Sequence, residues 1–461
     1  MGVDQVQSGR LVLCPASHKN ARGITDCAVC GLPMVDFAEE IDSTLSMFND
    51  VKKIFVKSKR VTCLGLGETG SRLLFTLLSS TDKNISSPHF LVVNPNQSDV
   101  KTFKEWLSNN QGTVNIEKFL KTSTHKLRSS KDSSGWVWGQ AKNMGVRDGD
   151  MHDKLRRIGV SESVEDQLFV IMASLGDGES SGIGPDLLEE VKEINPDATT
   201  VVFAILPSNT DTDQMHFNAY CGLSRYLRMR SKEDRRRDSK LADLIIVLQG
   251  EAIDEMMGID KSGKKVLSNF LIPRMVKLIF GDDNGMLGEM TSIARSFRIQ
   301  AFSPVYAYGR SYAIYDNVGN IMDYATYFPL SPFAFNSVVL SMAIARVPKT
   351  VLSNVGTKRI EEQFNSWSKK RFRAVKRNYL KIFEVDDVSD RLDILLLLGG
   401  TSMKSITSSL HDGYLRFKSD VSNMTLWDEY GLNNRDLEKI ESTMNSYDKG
   451  MAHLVRQAAR A

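Results

Sequence analysis

A membrane span is missing from this sequence. Its most apolar stretch, Leu392 to Leu398 within RLDILLLLGG, falls far short of the roughly 20 residues that a bilayer requires. A secretory leader is missing too, because MGVDQVQSGR has neither a basic n-region nor an apolar core, and Val6 stands where a myristoylation signal needs Ser or Thr. These absences predict a cytoplasmic protein with no integral membrane segment. Charge of one sign is scarce: 59 Lys and Arg face 56 Asp and Glu, a net +3. That balance is too small for a nucleic-acid footprint, and the basic runs RMRSKEDRRR (228–237) and KKRFRAVKR (369–377) read as solvated faces, so no nucleic-acid partner is expected. Cysteine is sparse, and three of the five fall within the first 30 residues while Cys63 and Cys221 stand alone in apolar segments. This clustering argues against a disulfide framework. Neither an internal repeat nor a long low-complexity stretch is found. What is present, 41% hydrophobic and 25% charged residues over 461 positions, suffices for two or three cores of an ordinary globular protein.

Along the chain, residues 11–37 form a Cys/His segment, and residues 38–57 carry helical periodicity that reads as a linker. From 58 to 280, short β-branched runs (RVTCLGLG, HFLVVN, QLFVIMASLG, TTVVFAILP, ADLIIVLQG) alternate with amphipathic stretches. This alternation predicts an α/β domain, a parallel sheet with helices on both faces. Residues 281–425 read as a mixed α+β C-terminal domain, with strands around RIQAFSPVYAYG, SVVLSMAIAR and DILLLLGG and a helix near 356–375. A helical tail, 426–461, follows.

Ligands in such sheets bind where strands end and helices begin. The first strand runs into CLGLGETGSRLLFTLL, where Gly65, Gly67 and Gly70 allow a tight turn that exposes N–H groups at a helix N-terminus, a corner suited to phosphate. A tight strand-to-helix turn needs glycine in any case, so this motif alone leaves both readings open. A second corner, LFVIMASLGDGESSGIGPDLLEEV, repeats the device with Gly176, Gly178, Gly182 and Gly184. A dinucleotide-binding oxidoreductase, which the first corner alone would permit, has one such corner and not two. GIDKSGKK (258–265) nearly spells a P-loop but ends in Lys265, which offers no hydroxyl to magnesium; a lysine-rich turn explains it better.

The two glycine corners, with VVNPNQSDV between them and WGQAKNMG after it, resemble the tubulin/FtsZ superfamily, most of all its archaeal CetZ-type members. FAILPSNTDTDQMHFNAYCGL looks like that family's sugar-binding loop and helix, and VLSNFLIPRMVKLIF like its long central helix. The resemblance implies GTP or GDP, accompanied by magnesium, held by loops at one sheet edge. Gly65, Gly67, Gly70 and Ser71 would face the phosphates from the first loop and Asn94 would close the second. Gly139, Asn143 and Gly145 would belong to the loop near the terminal phosphate. Gly176, Gly178, Ser181 and Gly182 would form the signature phosphate loop, Asn218 would sit by the ribose, and Asn269 would read the guanine edge, unless it is a helix position that merely meets solvent. An amide suits guanine because it offers both a donor and an acceptor.

The signature loop departs from the family's approximate GGGTGSG by carrying Asp177 and Glu179. A carboxylate about 4 Å from a phosphate costs on the order of 4 kcal/mol at an effective dielectric near 20. Three outcomes follow: the two acids point into solvent, they hold a magnesium ion, or the loop no longer grips a triphosphate. In the family, an acid after the central helix of one protomer reaches the nucleotide of the next. Here GDDNGMLGEMTSIARSF occupies that place, and matching Asn284 to the family's loop asparagine puts Met286 and Glu289 at the two acidic positions. Glu289 is the candidate catalytic residue, with Asp282 and Asp283 as nearby alternatives; a solvated glutamate in a first helical turn is the other reading of Glu289. The resemblance thus implies a head-to-tail filament of this chain, or a copolymer with a related subunit, hydrolysing GTP between protomers. The alternative is a degenerate, non-hydrolysing structural or regulatory partner of another filament protein.

Cys14, His18, Cys27 and Cys30 offer three thiolates and one imidazole, the number and softness that structural zinc prefers, and CxxC followed by Gly matches a zinc knuckle. The segment resembles small zinc-ribbon modules, which would dock a protein partner or the chain's own body.

Overall fold

The computed structural model describes residues 12–13, 19–20, 61–79, 89–93, 124–125, 137–145, 153, 155–156, 167–227, 241–252, 271–280, 286–386, 388–402 and 404–460. Strands β1 (Val12–Leu13) and β2 (Lys19–Asn20) pair antiparallel. Ten further strands form one sheet: β3 (Val61–Leu66), β4 (His89–Val93), β5 (Thr124–His125), β6 (Leu168–Ser174), β7 (Thr199–Leu206), β8 (Leu244–Gln249), β9 (Ala301–Ser311), β10 (Leu340–Pro348), β11 (Arg377–Val385) and β12 (Arg391–Gly399). Their order is β11-β10-β12-β9-β8-β7-β6-β3-β4-β5. All neighbours are parallel except that β12 runs antiparallel to β9 and β10. The carboxyl ends of β3, β4, β6, β7 and β8 therefore share one edge, and the amino ends of β9, β10 and β11 share the opposite edge with the amino end of β8.

Strand alternation sorts the apolar side chains onto two faces. Cys63, Val170, Met172, Phe203, Ile246, Tyr306, Met342 and Leu395 lie in one continuous core that runs under the whole sheet. Helices α1 (Gly67–Ser79), α5 (Leu271–Phe280) and α6 (Met286–Ser296) cover it with Leu73, Leu74, Met275, Ile279, Met290 and Ala294. On the other face, the β3–β8 half packs under α2 (Trp138–Gly145), α3 (Gly178–Ile194) and α4 (Asp213–Tyr226). The β9–β12 half packs there under α8 (Val318–Ala325) and α10 (Thr357–Arg371), while the short α7 (Tyr312–Tyr315) and α9 (Lys349–Val355) complete its connections.

Two C-terminal helices return to the first half. Helix α11 (Lys404–Asn423) lies on α4, with Tyr414 stacked on Phe217 at 5.2 Å between ring centroids. Helix α12 (Asn434–Arg460) places Leu437, Ile440 and Met444 in one core and Met451 and Ala458 in the other. Between them, the Tyr447 hydroxyl accepts from the Ala301 amide at 3.0 Å, at the start of β9. There β8 and β9 pair over only two residue pairs, so α12 braces the seam where the two halves of the sheet meet. Among the described residues no helix is long and apolar enough to cross a membrane.

The expected parallel arrangement with helices on both faces is present, and it continues through the β8–β9 pairing into the mixed β9–β12 half of the same sheet. Among the elements that were not anticipated are β11, whose RNYLKIFEV begins inside the basic run, helix α8, and α11, rich in Ser and Thr and interrupted by Gly413. Cys63 and Cys221 are buried free thiols, both pushed upward in pKa by burial. The candidate zinc ligands Cys14, His18, Cys27 and Cys30, the expected 38–57 linker, Asn94, Asn269, Asp282, Asp283 and the expected 258–265 lysine turn lie outside the described residues. Among the described residues no group of three His, Cys, Asp or Glu is placed to hold a metal ion.

Candidate functional site

Strands β3 and β6 are neighbours in register, Leu66 beside Ala173, so the two glycine corners that follow them meet. Helix α1 opens at Gly67, whose φ of +66° is a left-handed conformation that favours glycine. Helix α3 opens one strand away at Gly178, behind an N-cap residue, Asp177, that makes no side-chain cap hydrogen bond. Each helix begins with amides that lack intrahelical partners and with the positive end of its dipole, and both are directed at this edge. Two helix N-termini opening from neighbouring strands at one edge suit an anion with more than one charged group.

The corners are locked together. The Ser180 hydroxyl donates to the Leu66 carbonyl at 3.0 Å, and the Tyr226 hydroxyl donates to the Ser180 carbonyl at 3.1 Å. A Cβ on Gly70 would lie 2.3 Å from the Met172 carbonyl oxygen, and one on Gly65 would lie 2.5 Å from the Gly70 oxygen. Backbone proximity therefore requires both glycines, whether or not a ligand binds. Gly182 answers to α2 in the same way, since a Cβ there would meet the Lys142 amide nitrogen at 2.6 Å.

Several polar candidates are committed to the protein itself. The Ser71 hydroxyl donates to the Gly67 carbonyl and the Ser181 hydroxyl to the Leu175 carbonyl, both at 2.5 Å. Asn218, 1% exposed, accepts from the Trp138 amide at 2.7 Å and donates to the Gly176 carbonyl at 3.0 Å. It joins the start of α2 to the second glycine corner. The segment containing Gly139, Asn143 and Gly145 is helix α2 and not a loop. Gly139 packs on the backbone of Tyr430 and Gly431, and the Asn143 amide donates to the Gly431 carbonyl at 3.3 Å. Asn218→Ala would strand the Trp138 N–H and the Gly176 carbonyl in the interior, at about 1–3 kcal/mol per unsatisfied group. We expect a clear drop in the urea midpoint; unchanged stability with lost ligand binding would make Asn218 a ligand contact instead.

Asp177 and Glu179 do not point into bulk solvent. Glu179 is 9% exposed. The Asp177 carboxylate leans over the first corner, with Oδ2 placed 3.1 Å from where a Cβ on Gly67 would sit. Burial first, and then the nearby Glu68 carboxylate, push Asp177 up to about 6 against a hydrogen bond from Ser174. The acid thus occupies the space between the two helix N-termini.

The third corner, between β7 and α4, is built on Ser208. Its amide donates to Asp211 Oδ2 at 2.7 Å, its hydroxyl donates to Glu251 just past β8, and its carbonyl accepts from His216 Nε2 at 2.8 Å. The Thr212 hydroxyl caps α4 by accepting from the Met215 amide. Sequence reasoning passed over Ser208 and Glu251; the signal available was a polar residue two positions past the end of each of two neighbouring strands.

Glu289 lies elsewhere. It sits in the first turn of α6, exposed, and its Oε2 accepts from the Tyr379 hydroxyl at 3.0 Å. Tyr379 is the third residue of β11, so Glu289 belongs to the amino edge, across the sheet from the glycine corners. The far end of α6 is tied to the same edge by Arg295, which pairs with Asp243 immediately before β8.

Residues 60–230 match the model of the Tubulin/FtsZ family, GTPase domain. No curated protein sequence matches the chain. Among solved structures, CetZ from Methanosaeta thermophila strain DSM 6194 is similar over 86% of this chain and 99% of that one, with a TM-score of 0.55 and 15% identity. CetZ2 from Haloferax volcanii, solved as a GTPγS-bound protofilament, is similar over 78% of this chain and 99% of that one, with a TM-score of 0.57 and 17% identity. The chain therefore has the tubulin/FtsZ fold, and its first glycine corner, its second and the loop at Ser208 all lie in the part that matches the family's GTPase domain.

Proposed function

We propose that this protein binds a guanine nucleotide at the carboxyl edge of its sheet and assembles head to tail, so that hydrolysis is completed between protomers. One observation carries the reading: the phosphate-suited corners at Gly67 and Gly178 and the candidate acid Glu289 lie on opposite edges of one rigid sheet. Within a single chain Glu289 stays away from the corners, whereas a neighbour stacked edge to edge would deliver it there. Such a heterologous contact does not close and generates a filament. The GTPγS-bound protofilament of the CetZ2 relative supports the same arrangement. Magnesium accompanying the nucleotide belongs to this proposal, as do Gly65, Gly70, Ser71, Gly176, Ser181 and Gly182 as the frame of the phosphate loops.

Identification of the nucleotide released from purified protein, with light scattering in the presence and absence of GTP, tests the reading. Turnover should rise steeply with protein concentration, and Glu289→Ala should lower it at least tenfold while polymer still forms. Turnover that is the same per molecule in dilute monomer would refute the shared site. Asp177 supports the second reading, a non-hydrolysing relative that copolymerises with another filament protein; nucleotide-free polymer would favour it.

A further inference from the structure

The described residues of the carboxyl-edge corners (67–72, 174–179, 206–213 and 249–252) contain a single basic side chain, Arg72, and it is paired with Glu68. Their acids Asp177, Asp211 and Glu251 are hydrogen-bonded to the neutral groups of Ser174 and Ser208 and have no cation at ion-pair distance among the described residues. Asp213 of the third corner is paired with Arg416. Among the described residues of these corners, a triphosphate therefore meets helix dipoles, backbone amides and only cations already paired with carboxylates.

The opposite edge has the reverse character. Where α10 ends and β11 begins, Lys369, Lys370, Arg373, Lys376 and Arg377 are all exposed, with no acid between Glu362 and Glu384 in the sequence. None of the five is paired with a carboxylate among the described residues. Helix α10 descends to this edge, and the Lys376 amide donates to Val339 just before β10. Arg377 is two residues before Tyr379 on β11 and so shares its strand face; Tyr379 holds Glu289. The basic corner and the candidate acid therefore belong to one surface.

We propose that the nucleotide site is electrostatically incomplete in one protomer and that Arg373, Lys376 and Arg377 of a second copy complete it. This rests on the head-to-tail reading above and adds what it left out, namely which side chains of the neighbour offset the phosphates and the acids beside them. Charge complementarity between the two edges selects a second copy as the occupant of the basic corner. Nucleotide affinity and assembly are then coupled: each strengthens the other by the same factor.

The experiment compares GTPγS affinity below and above the assembly threshold, in the wild type and in the triple variant Arg373→Ala/Lys376→Ala/Arg377→Ala. The wild type should hold GTPγS at least tenfold more tightly in polymer than in dilute solution. The triple variant should keep the dilute affinity, which also shows that it is folded, and should raise the assembly threshold at least tenfold. Lys376→Arg/Arg377→Lys should assemble as the wild type does. A triple variant with normal threshold and normal affinity in polymer overturns the inference and leaves head-to-tail assembly standing. A wild type that neither binds GTPγS nor assembles overturns both. Normal assembly of the variant combined with lost binding to vesicles containing anionic phospholipid also overturns it, assigning the basic corner to a membrane surface.

Discussion

Asp177→Asn should tighten binding of GTPγS by dilute protein about ten- to a hundredfold at pH 7.5. The Coulomb energy of a carboxylate about 4 Å from a phosphate, ~4 kcal/mol at an effective dielectric near 20, would correspond to about a thousandfold; partial exposure lowers the expected effect to the range given. The position is favourable for the test because Asp177 lies between the N-termini of α1 and α3 and makes no cap hydrogen bond there. Its pKa of about 6, raised from an ordinary 3.8 by burial and Glu68, sets the pH dependence. Above pH 6 the side chain is ionised and repels phosphate; below it the neutral acid does not. Wild-type affinity should therefore rise as pH falls from 7.5 to 5, and the advantage of the Asn variant should shrink over the same range. The phosphate's own titration cancels in the ratio between the two proteins. A ratio that stays constant with pH would place the carboxylate away from the phosphates, or under a bound cation.

Stability follows the same sign. A carboxyl group whose folded-state pKa is raised contributes stability that is fully present below 3.8 and lost as pH rises through about 6. Relative to the wild type, Asp177→Asn should gain thermal stability at pH 7.5 and little at pH 4.

The largest loss of stability is expected at Asp393. This aspartate interrupts the apolar strand RLDILLLLG, is 0% exposed, and sits where β12 and β9 shift register between Leu392 and Ile394. At this irregularity the Gly309 amide donates to Asp393 Oδ1 at 2.8 Å. Its other oxygen accepts from Arg274 on α5, whose Nε donates to the Tyr306 hydroxyl at 2.8 Å. The central helix is thereby tied to the second half of the sheet through one buried ion pair. Asp393→Ala removes a carboxylate that pairs with the buried Arg274 guanidinium and should cost about 3–5 kcal/mol of unfolding free energy, measured by guanidinium denaturation. Replacing both partners with apolar residues, Arg274→Met/Asp393→Leu, should recover most of that loss, apart from the Gly309 amide. Equal losses in the single and double variants would mean that packing, and not the buried guanidinium, sets the cost.

Much of the first half was legible in the residues because its signals are local. Strand runs such as VTCLGL, LFVIMAS, TTVVFAIL and LIIVLQ are apolar on both faces, as strands covered by helices on both sides must be. Gly67 announces a turn wherever the strand ends. The C-terminal half was harder. Helix α11 has poor intrinsic propensity, and it exists because Tyr414 stacks on Phe217 and because Gly413 lets His216 approach to where a Cβ would be 2.5 Å from the His216 Cβ. Strand β11 hides in a basic run because an edge strand buries little on its outer side.

Within the site, the sequence by itself determined the two glycine corners, their parallel strands and the presence of acids among them, since each depends on residues close together in the chain. Tertiary structure alone decided the rest. It showed that Asp177 reaches across to Gly67, that Asn218 is spent on Trp138 and Gly176, that Gly139 belongs to a helix packed on residues 430–432, and that Glu289 and the basic corner share the edge opposite the glycine corners. Those relations join residues tens to hundreds of positions apart, and only the register of one continuous sheet brings them together or keeps them apart.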